Sequence, residues 1–174
     1  MKIWKFRNQS DKGPCPAGWA DKLGVPQVVA DLLWQRGLET SAQMDSFLSP
    51  GLRHLAPPDC WPGMQEAADA LEQGIREGRN VLIWGDYDVD GITSTVLLMD
   101  YLKSCGVRCL RHIPRRIEEG YGLSKEAIQG LRDQGATLMI TVDCGITGVE
   151  EVAYANSLGM DVVVTDHHLP PQTL

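Results

Sequence analysis

The sequence contains no apolar run approaching the roughly 20 residues needed to span a bilayer, so no membrane helix is expected in its 174 residues. Its opening stretch, Met1-Lys2-Ile3-Trp4-Lys5-Phe6-Arg7, lacks the apolar centre of a secretory signal. Cysteine is scarce: Cys15, Cys60, Cys105, Cys109 and Cys144 are odd in number and include no C-x-x-C pair. That argues against a zinc ribbon or a disulfide framework and fits a reducing cytoplasm. Positive charge is also in deficit, with 16 Lys and Arg against 23 Asp and Glu and a net charge of −7. A broad basic nucleic-acid footprint is therefore absent. No internal repeat or low-complexity tract is found.

The chain does carry a clear alternation of helical and strand patterns. Residues 1–24 are poorly patterned, with Gly13, Pro14, Pro16 and Gly18 as breakers. Short helices are expected over Val25–Arg36, closed by Gly37, and over Ser41–Leu48, stopped by Pro50-Gly51. Pro57-Pro58 and Pro62-Gly63 mark a linker. The expected division is a helical extension over residues 1–62 and a larger domain over 63–174. In the second part, apolar strand-like runs at Val81–Trp84, Val107–Ile113, Leu138–Val142 and Asp161–Thr165 alternate with helical segments. The second run is interrupted by Arg108, Arg111 and His112, as expected of an edge strand. The other three are almost continuously apolar, as strands covered on both faces must be. The fold class is α/β: a doubly wound, mainly parallel sheet with helices on both faces.

Three acidic motifs stand just past the ends of these strands: Asp86-Tyr87-Asp88-Val89-Asp90-Gly91, Asp143-Cys144-Gly145 and Asp166-His167-His168. In an open α/β sheet the carboxyl ends of parallel strands share one edge, where ligands bind. Five carboxylates gathered there repel one another unless a cation lies between them. Two divalent ions would offset about four of those charges, so the net charge does not exclude a nucleic-acid substrate. The first motif has the form D-x-D-x-D-G of a calcium loop, but position 97, where that loop needs Glu, is Leu. Helix capping explains one aspartate of this motif, not three. The amides of Gly91, Ile92 and Thr93 open a helix and offer a place for an anionic oxygen. Cys144 is either a thiolate ligand or a small buried residue. Asp166-His167-His168 is more specific, because neighbouring side chains in extended backbone point to opposite sides, so one imidazole can ligate while the other meets substrate. Arg108, Arg111, His112, Arg115 and Arg116 precede Glu118-Glu119-Gly120-Tyr121-Gly122. Arginine binds phosphate and a tyrosine can stack a base; the alternative is a solvated edge strand followed by an ordinary turn.

Taken together, the chain from about Val25 onward resembles the DHH phosphoesterase superfamily, and within it the RecJ-type single-stranded-DNA-specific exonucleases. The resemblance rests on Phe47-Leu48-Ser49-Pro50, Gly85–Ser94, Glu118–Ser124, Thr141–Thr147 and Val164–His168. Pyrophosphatases and oligonucleotide phosphodiesterases of the superfamily share the acidic and Asp-His-His motifs but generally lack the E-E-G-Y-G-L segment. The resemblance implies a 5′ to 3′ exonuclease of DNA repair and recombination that uses two Mn²⁺ or Mg²⁺ ions. It implies Asp88, Asp90, Asp143 and His167 as metal ligands, with Asp143 bridging. Asp86 is expected as a ligand or orienting group and His168 beside the scissile phosphate, both as catalytic residues. Arg116 is expected to contact a phosphate and Tyr121 to stack a base, with Gly91 and Thr93 also on the substrate side. A mixed carboxylate and imidazole set suits Mn²⁺ better than Mg²⁺. The resemblance further implies another metal-binding aspartate and a second, DNA-holding domain beyond Leu174, and hence weak or absent activity for these residues alone. The alternatives are a small-molecule phosphodiesterase or pyrophosphatase, or a non-catalytic nucleic-acid-binding fragment.

Overall fold

A computed structural model of the chain describes residues 13–49 and 51–173. The amino-terminal stretch read for a signal and Pro50, expected to stop a helix, lie outside the described residues. The chain forms two compact units, Met1–Cys60 and Trp61–Leu174.

In the first unit, α1 (Trp19–Leu23), α2 (Gln27–Gln35) and α3 (Ser41–Leu48) gather a small core around Ala30, Leu33 and Met44. Trp19 and Trp34 meet edge to face, with ring centroids 5.6 Å apart. The Thr40 hydroxyl accepts from the Gln43 amide, and the Gln43 side chain accepts from the Thr40 amide, a reciprocal cap that fixes where α3 begins. Helix α1 was not anticipated: it has five residues, between Gly18 and Gly24, too few for a periodic signal.

The second unit is built on a four-stranded, wholly parallel sheet in the order β2-β1-β3-β4. The strands are β1 (Val81–Gly85), β2 (Cys109–His112), β3 (Leu138–Val142) and β4 (Asp161–Thr165). Helices α4 (Met64–Arg76) and α5 (Val89–Ser104) cover one face, where Val81, Ile83, Leu138 and Ile140 pack with Leu71, Met99 and Leu102. Helices α6 (Lys125–Asp133) and α7 (Val149–Ser157) cover the other, where Leu82, Trp84 and Met139 pack with Ile128, Leu131 and Ala155. The two core sets alternate along β1, the period-2 signature of a strand buried on both sides. Strands β1 and β3 are buried throughout. Strand β4 is not: its three valines are only half buried, because it has a single strand neighbour among the described residues. Its apolarity had suggested cover on both faces. Strand β2 is shorter than expected, since Val107 and Arg108 precede the ladder. Among the described residues no helix is long and apolar enough to cross a membrane.

From β1 the chain winds outward to β2, then returns across β1 to β3. The direction of winding reverses between β1 and β3, which makes their carboxyl ends the switch point of the sheet. Register does the rest. Gly85 pairs with Val142 and Val142 with Thr165. Asp86, Asp143 and Asp166 are therefore each one residue past the ladder, at the same depth, on strands about 4.8 Å apart.

Candidate metal centre

Asp143 occupies the middle of the site for a backbone reason. Its φ is 63°, the one left-handed non-glycine backbone among the described residues, a conformation that Asp tolerates better than most residues. That turn holds a largely buried carboxylate between the ends of β1 and β4. Oδ1 of Asp143 lies 3.0 Å from Nε2 of His167. Its Oδ2 is buried with no hydrogen-bond partner, a costly state for a carboxylate oxygen without a cation. Burial foremost, then the adjacent Asp88 carboxylate, raises the Asp143 pKa above the ordinary value.

Two sets of potential ligand atoms share Asp143. One is Asp86, Asp88 and Asp143, the other Asp143, His167 and His168, and within each set the atoms lie within 4.8 Å of one another. Atoms bonded to one ion at about 2.1 Å stand at most about 4.2 Å apart, so each set needs only a small contraction to close on a cation. The orphaned Asp143 oxygen and this shared geometry fit a divalent ion on each side of Asp143.

The other expected ligands and contacts are placed by α5 and by the segment after β4. Asp88 is the N-cap of α5, its carboxylate accepting the Gly91 amide at 3.0 Å. That amide, more than burial opposes, lowers the Asp88 pKa. Helix α5 therefore starts at Val89, earlier than its apolar pattern suggests, and Asp90 lies in its first turn. Asp90, Thr93, Asp143 and His167 line one cavity of about 380 Å³ with Ser94, Thr165 and Asp166. Asp90 falls outside both three-residue sets. The Thr93 hydroxyl donates to the Val89 carbonyl at 2.7 Å. Gly91 differs from expectation: its amide is already given to Asp88, and the residue is buried. A Cβ there would come within 2.5 Å of the Asp86 backbone nitrogen and oxygen. The glycine lets α5 press against the end of β1; it does not present an amide to substrate. Asp86 is 3% exposed and accepts from the Tyr87 amide at 2.7 Å.

Asp166 had been given no role from sequence. Its Oδ2 accepts the Ile146 amide and its Oδ1 the His168 amide, each at 3.0 Å, and Oδ1 also lies 2.7 Å from His168 Nδ1. Burial works against this carboxylate, but the two amides and the imidazole outweigh it and lower its pKa. The same contact, first among causes, raises the pKa of His168. The equal depth of Asp86, Asp143 and Asp166 is the signal that could have found it. Cys144 is fully buried with its thiol toward the Trp84 carbonyl at 3.7 Å. Burial, then the neighbouring carboxylates, pushes its pKa up to about 12, and it belongs to neither set of potential ligand atoms.

The basic segment is brought to the same edge by the loop between β2 and α6. The Tyr121 hydroxyl is 3.3 Å from His168 Nδ1. Burial, then Asp166 and Asp86, pushes the Tyr121 pKa up to about 12, keeping the phenol protonated. Arg116 stands over the Tyr87 ring at 5.2 Å, and Tyr87 meets Tyr121 edge to face at 6.4 Å. Tyr87 had been passed over as a spacer between acids. Arg115 pairs with Glu118 at the surface. His112 turns inward, with its side chain 19% exposed, and packs against Trp84 at 4.2 Å.

Comparison with known proteins shows the family. The model of the DHH family, N-terminal domain, matches residues 80–174. The chain belongs to the DHH family. Among curated proteins it is 39% identical over 150 residues to the single-stranded-DNA-specific exonuclease RecJ of Bacillus subtilis, covering 86% of this chain and 19% of that protein. To RecJ of Escherichia coli it is 36% identical over 151 residues, covering 86% and 26%. It thus spans about a fifth to a quarter of the length of these relatives. Of solved structures, an exonuclease RecJ bound to manganese matches with TM-score 0.60 and 41% identity over 64% of this chain and 29% of that one. RecJ of Thermus thermophilus in complex with Mn²⁺ matches with TM-score 0.64 and 32% identity over 90% and 22%.

Proposed function

We propose that the second unit is the metal-binding part of a 5′ to 3′ exonuclease that hydrolyses phosphodiester bonds in single-stranded DNA, in repair and recombination in the cytoplasm. The observation that carries this reading is Asp143: one carboxylate shared by two ligand sets, with a buried oxygen left unpaired. On this reading residues 63–174 are the DHH domain and 1–62 a helical extension, and a further domain helps to hold DNA. Asp88, Asp90, Asp143 and His167 would hold Mn²⁺ or Mg²⁺, with Asp86, a member of the first set, as a further ligand or an orienting group. Bound ions supply Lewis acidity toward the phosphodiester and a nucleophile at neutral pH.

The remaining chemistry falls to the side chains. Asp166 holds Nδ1 of His168, which fixes the ring and leaves Nε2 to carry a proton to the departing oxygen. Arg116 meets a backbone phosphate and Tyr121 offers a ring face to a base. Thr93 lines the cavity wall beside the reacting phosphate.

The test is Mn²⁺-dependent hydrolysis of a single-stranded oligodeoxynucleotide, measured against the same duplex, a dinucleotide and pyrophosphate. Preference for the single strand supports the reading. Preference for pyrophosphate or the dinucleotide would move the chain to the small-molecule branch of the family.

A further inference from the structure

The loop from Ile113 to Ser124 carries both substrate-side candidates, Arg116 and Tyr121, yet no regular element spans it. Gly120 and Gly122 both adopt positive φ, 83° and 90°, so the backbone around Tyr121 is intrinsically free to turn. One side chain closes the loop on itself. Oε1 of Glu119 accepts the Arg115 amide at 2.9 Å. Its Oε2 lies 3.0 Å from His112 Nε2, an ion-pair distance but outside hydrogen-bond geometry, so that buried nitrogen has no hydrogen bond. The Glu119 amide in turn donates to the Arg115 carbonyl at 2.8 Å. His112 is the last residue of β2 and rests on Trp84, which is fully buried.

We propose that Glu119 is a positioning residue: its carboxylate fastens both ends of the Arg115–Glu119 turn to β2 and so sets where Arg116 and Tyr121 stand relative to His168. This rests on the nuclease reading above. The turn holds Arg116 against Tyr87, one residue from Asp86 and from Asp88, and delivers Tyr121 to His168. Metal motif and substrate loop are thereby held in one arrangement. Its neighbour Glu118 provides the contrast. It reaches only the Arg115 guanidinium, with side chains 65% and 75% exposed, against 30% for Glu119. Exposed pairs of that kind contribute little. Two adjacent glutamates thus have unlike tasks.

The test compares Glu119→Gln with Glu118→Gln in the same chain through three measurements. Trypsin cleavage after Arg115 and Arg116 reports how firmly the turn is held. Fluorescence anisotropy with a single-stranded phosphorothioate oligodeoxynucleotide reports substrate binding, and Mn²⁺ titration reports the metal site. Glu119→Gln should speed cleavage and weaken oligonucleotide binding about ten-fold, the loss expected for a charge-assisted contact, with Mn²⁺ affinity unchanged. Glu118→Gln should alter none of these. Arg116→Ala combined with Glu119→Gln should bind more weakly than Arg116→Ala alone by less than ten-fold, since only the Tyr121 contact remains to be misplaced. Unchanged cleavage in Glu119→Gln overturns the clamp. Faster cleavage with unchanged oligonucleotide affinity overturns the positioning role, as does an equal effect from Glu118→Gln. Failure of the unaltered chain to bind Mn²⁺ would overturn the nuclease reading, and the cleavage arm would still decide whether Glu119 holds the turn.

Discussion

Replacing Gly91 and Gly130 by alanine makes the same chemical change in two helices and should give opposite results. At Gly130, in α6, a Cβ meets nothing within 4 Å. The substitution should stabilise the chain by about 0.5–1 kcal/mol through helix propensity and a less flexible unfolded state. At Gly91, in α5, the Cβ would lie 2.5 Å from the Asp86 backbone, where ordinary contacts begin at 3.4 Å. The start of α5 must retreat by the difference, 3.4 − 2.5, about 0.9 Å. Overpacking of this kind costs about 1–3 kcal/mol, and the propensity gain of about 1 kcal/mol returns part of it, leaving a net loss of about 0–2 kcal/mol. The metal site suffers more. Asp88 is tied to the Gly91 amide, and metal bonds tolerate displacements of only about 0.2 Å. Mn²⁺ affinity should fall by at least about ten-fold, or about 1.4 kcal/mol. Urea denaturation measures the first quantity and calorimetric Mn²⁺ titration the second. A Gly91→Ala chain that binds Mn²⁺ like the parent would refute the claim that this glycine sets the approach of α5 to β1.

Other expectations follow from single contacts. Asp143→Asn should fold normally, since Asn also tolerates a left-handed backbone, yet lose Mn²⁺ binding in calorimetry and all metal-dependent hydrolysis; retained binding would count against the bridging role. In the metal-free chain, NMR titration should show the His168 imidazole releasing its proton above the ordinary 6.5, and Asp166→Asn should bring it back down. The sign for stability follows: the Asp166–His168 contact contributes fully between the ordinary Asp value of 3.8 and the ordinary His value of 6.5. It weakens as pH rises through the raised His168 value or falls through the lowered Asp166 value. Arg116→Ala should weaken single-stranded DNA binding across all sequences and reduce the salt slope by about 1, as removal of one phosphate contact does.

The sheet was legible because its signals are local. Leu138–Val142 and Asp161–Thr165 are valine- and isoleucine-rich runs each followed by Asp, and both appear as strands with those bounds. Ser41–Leu48 was equally readable. The half-exposed state of β4 was not, since burial depends on neighbours that a run of valines does not name. The clustering of the acids followed from topology once the strands were known to be parallel. The roles of Gly91, Asp166 and Tyr87 did not. Each depends on a contact between segments far apart in sequence or on a backbone angle: Asp166 with the Ile146 amide, Tyr87 with Arg116. Spacing had suggested that the Gly91 amide was free for an anion, and only the placement of the Asp88 carboxylate shows it already taken.

The most direct test of the metal centre is anomalous diffraction at the manganese edge from crystals of the chain soaked in Mn²⁺. The expected result is density within bonding distance of the Asp143 carboxylate, with Asp88 or His167 completing the contacts on either side. Manganese bound elsewhere, or an Asp143 carboxylate with no ion beside it at saturating Mn²⁺, would contradict the account.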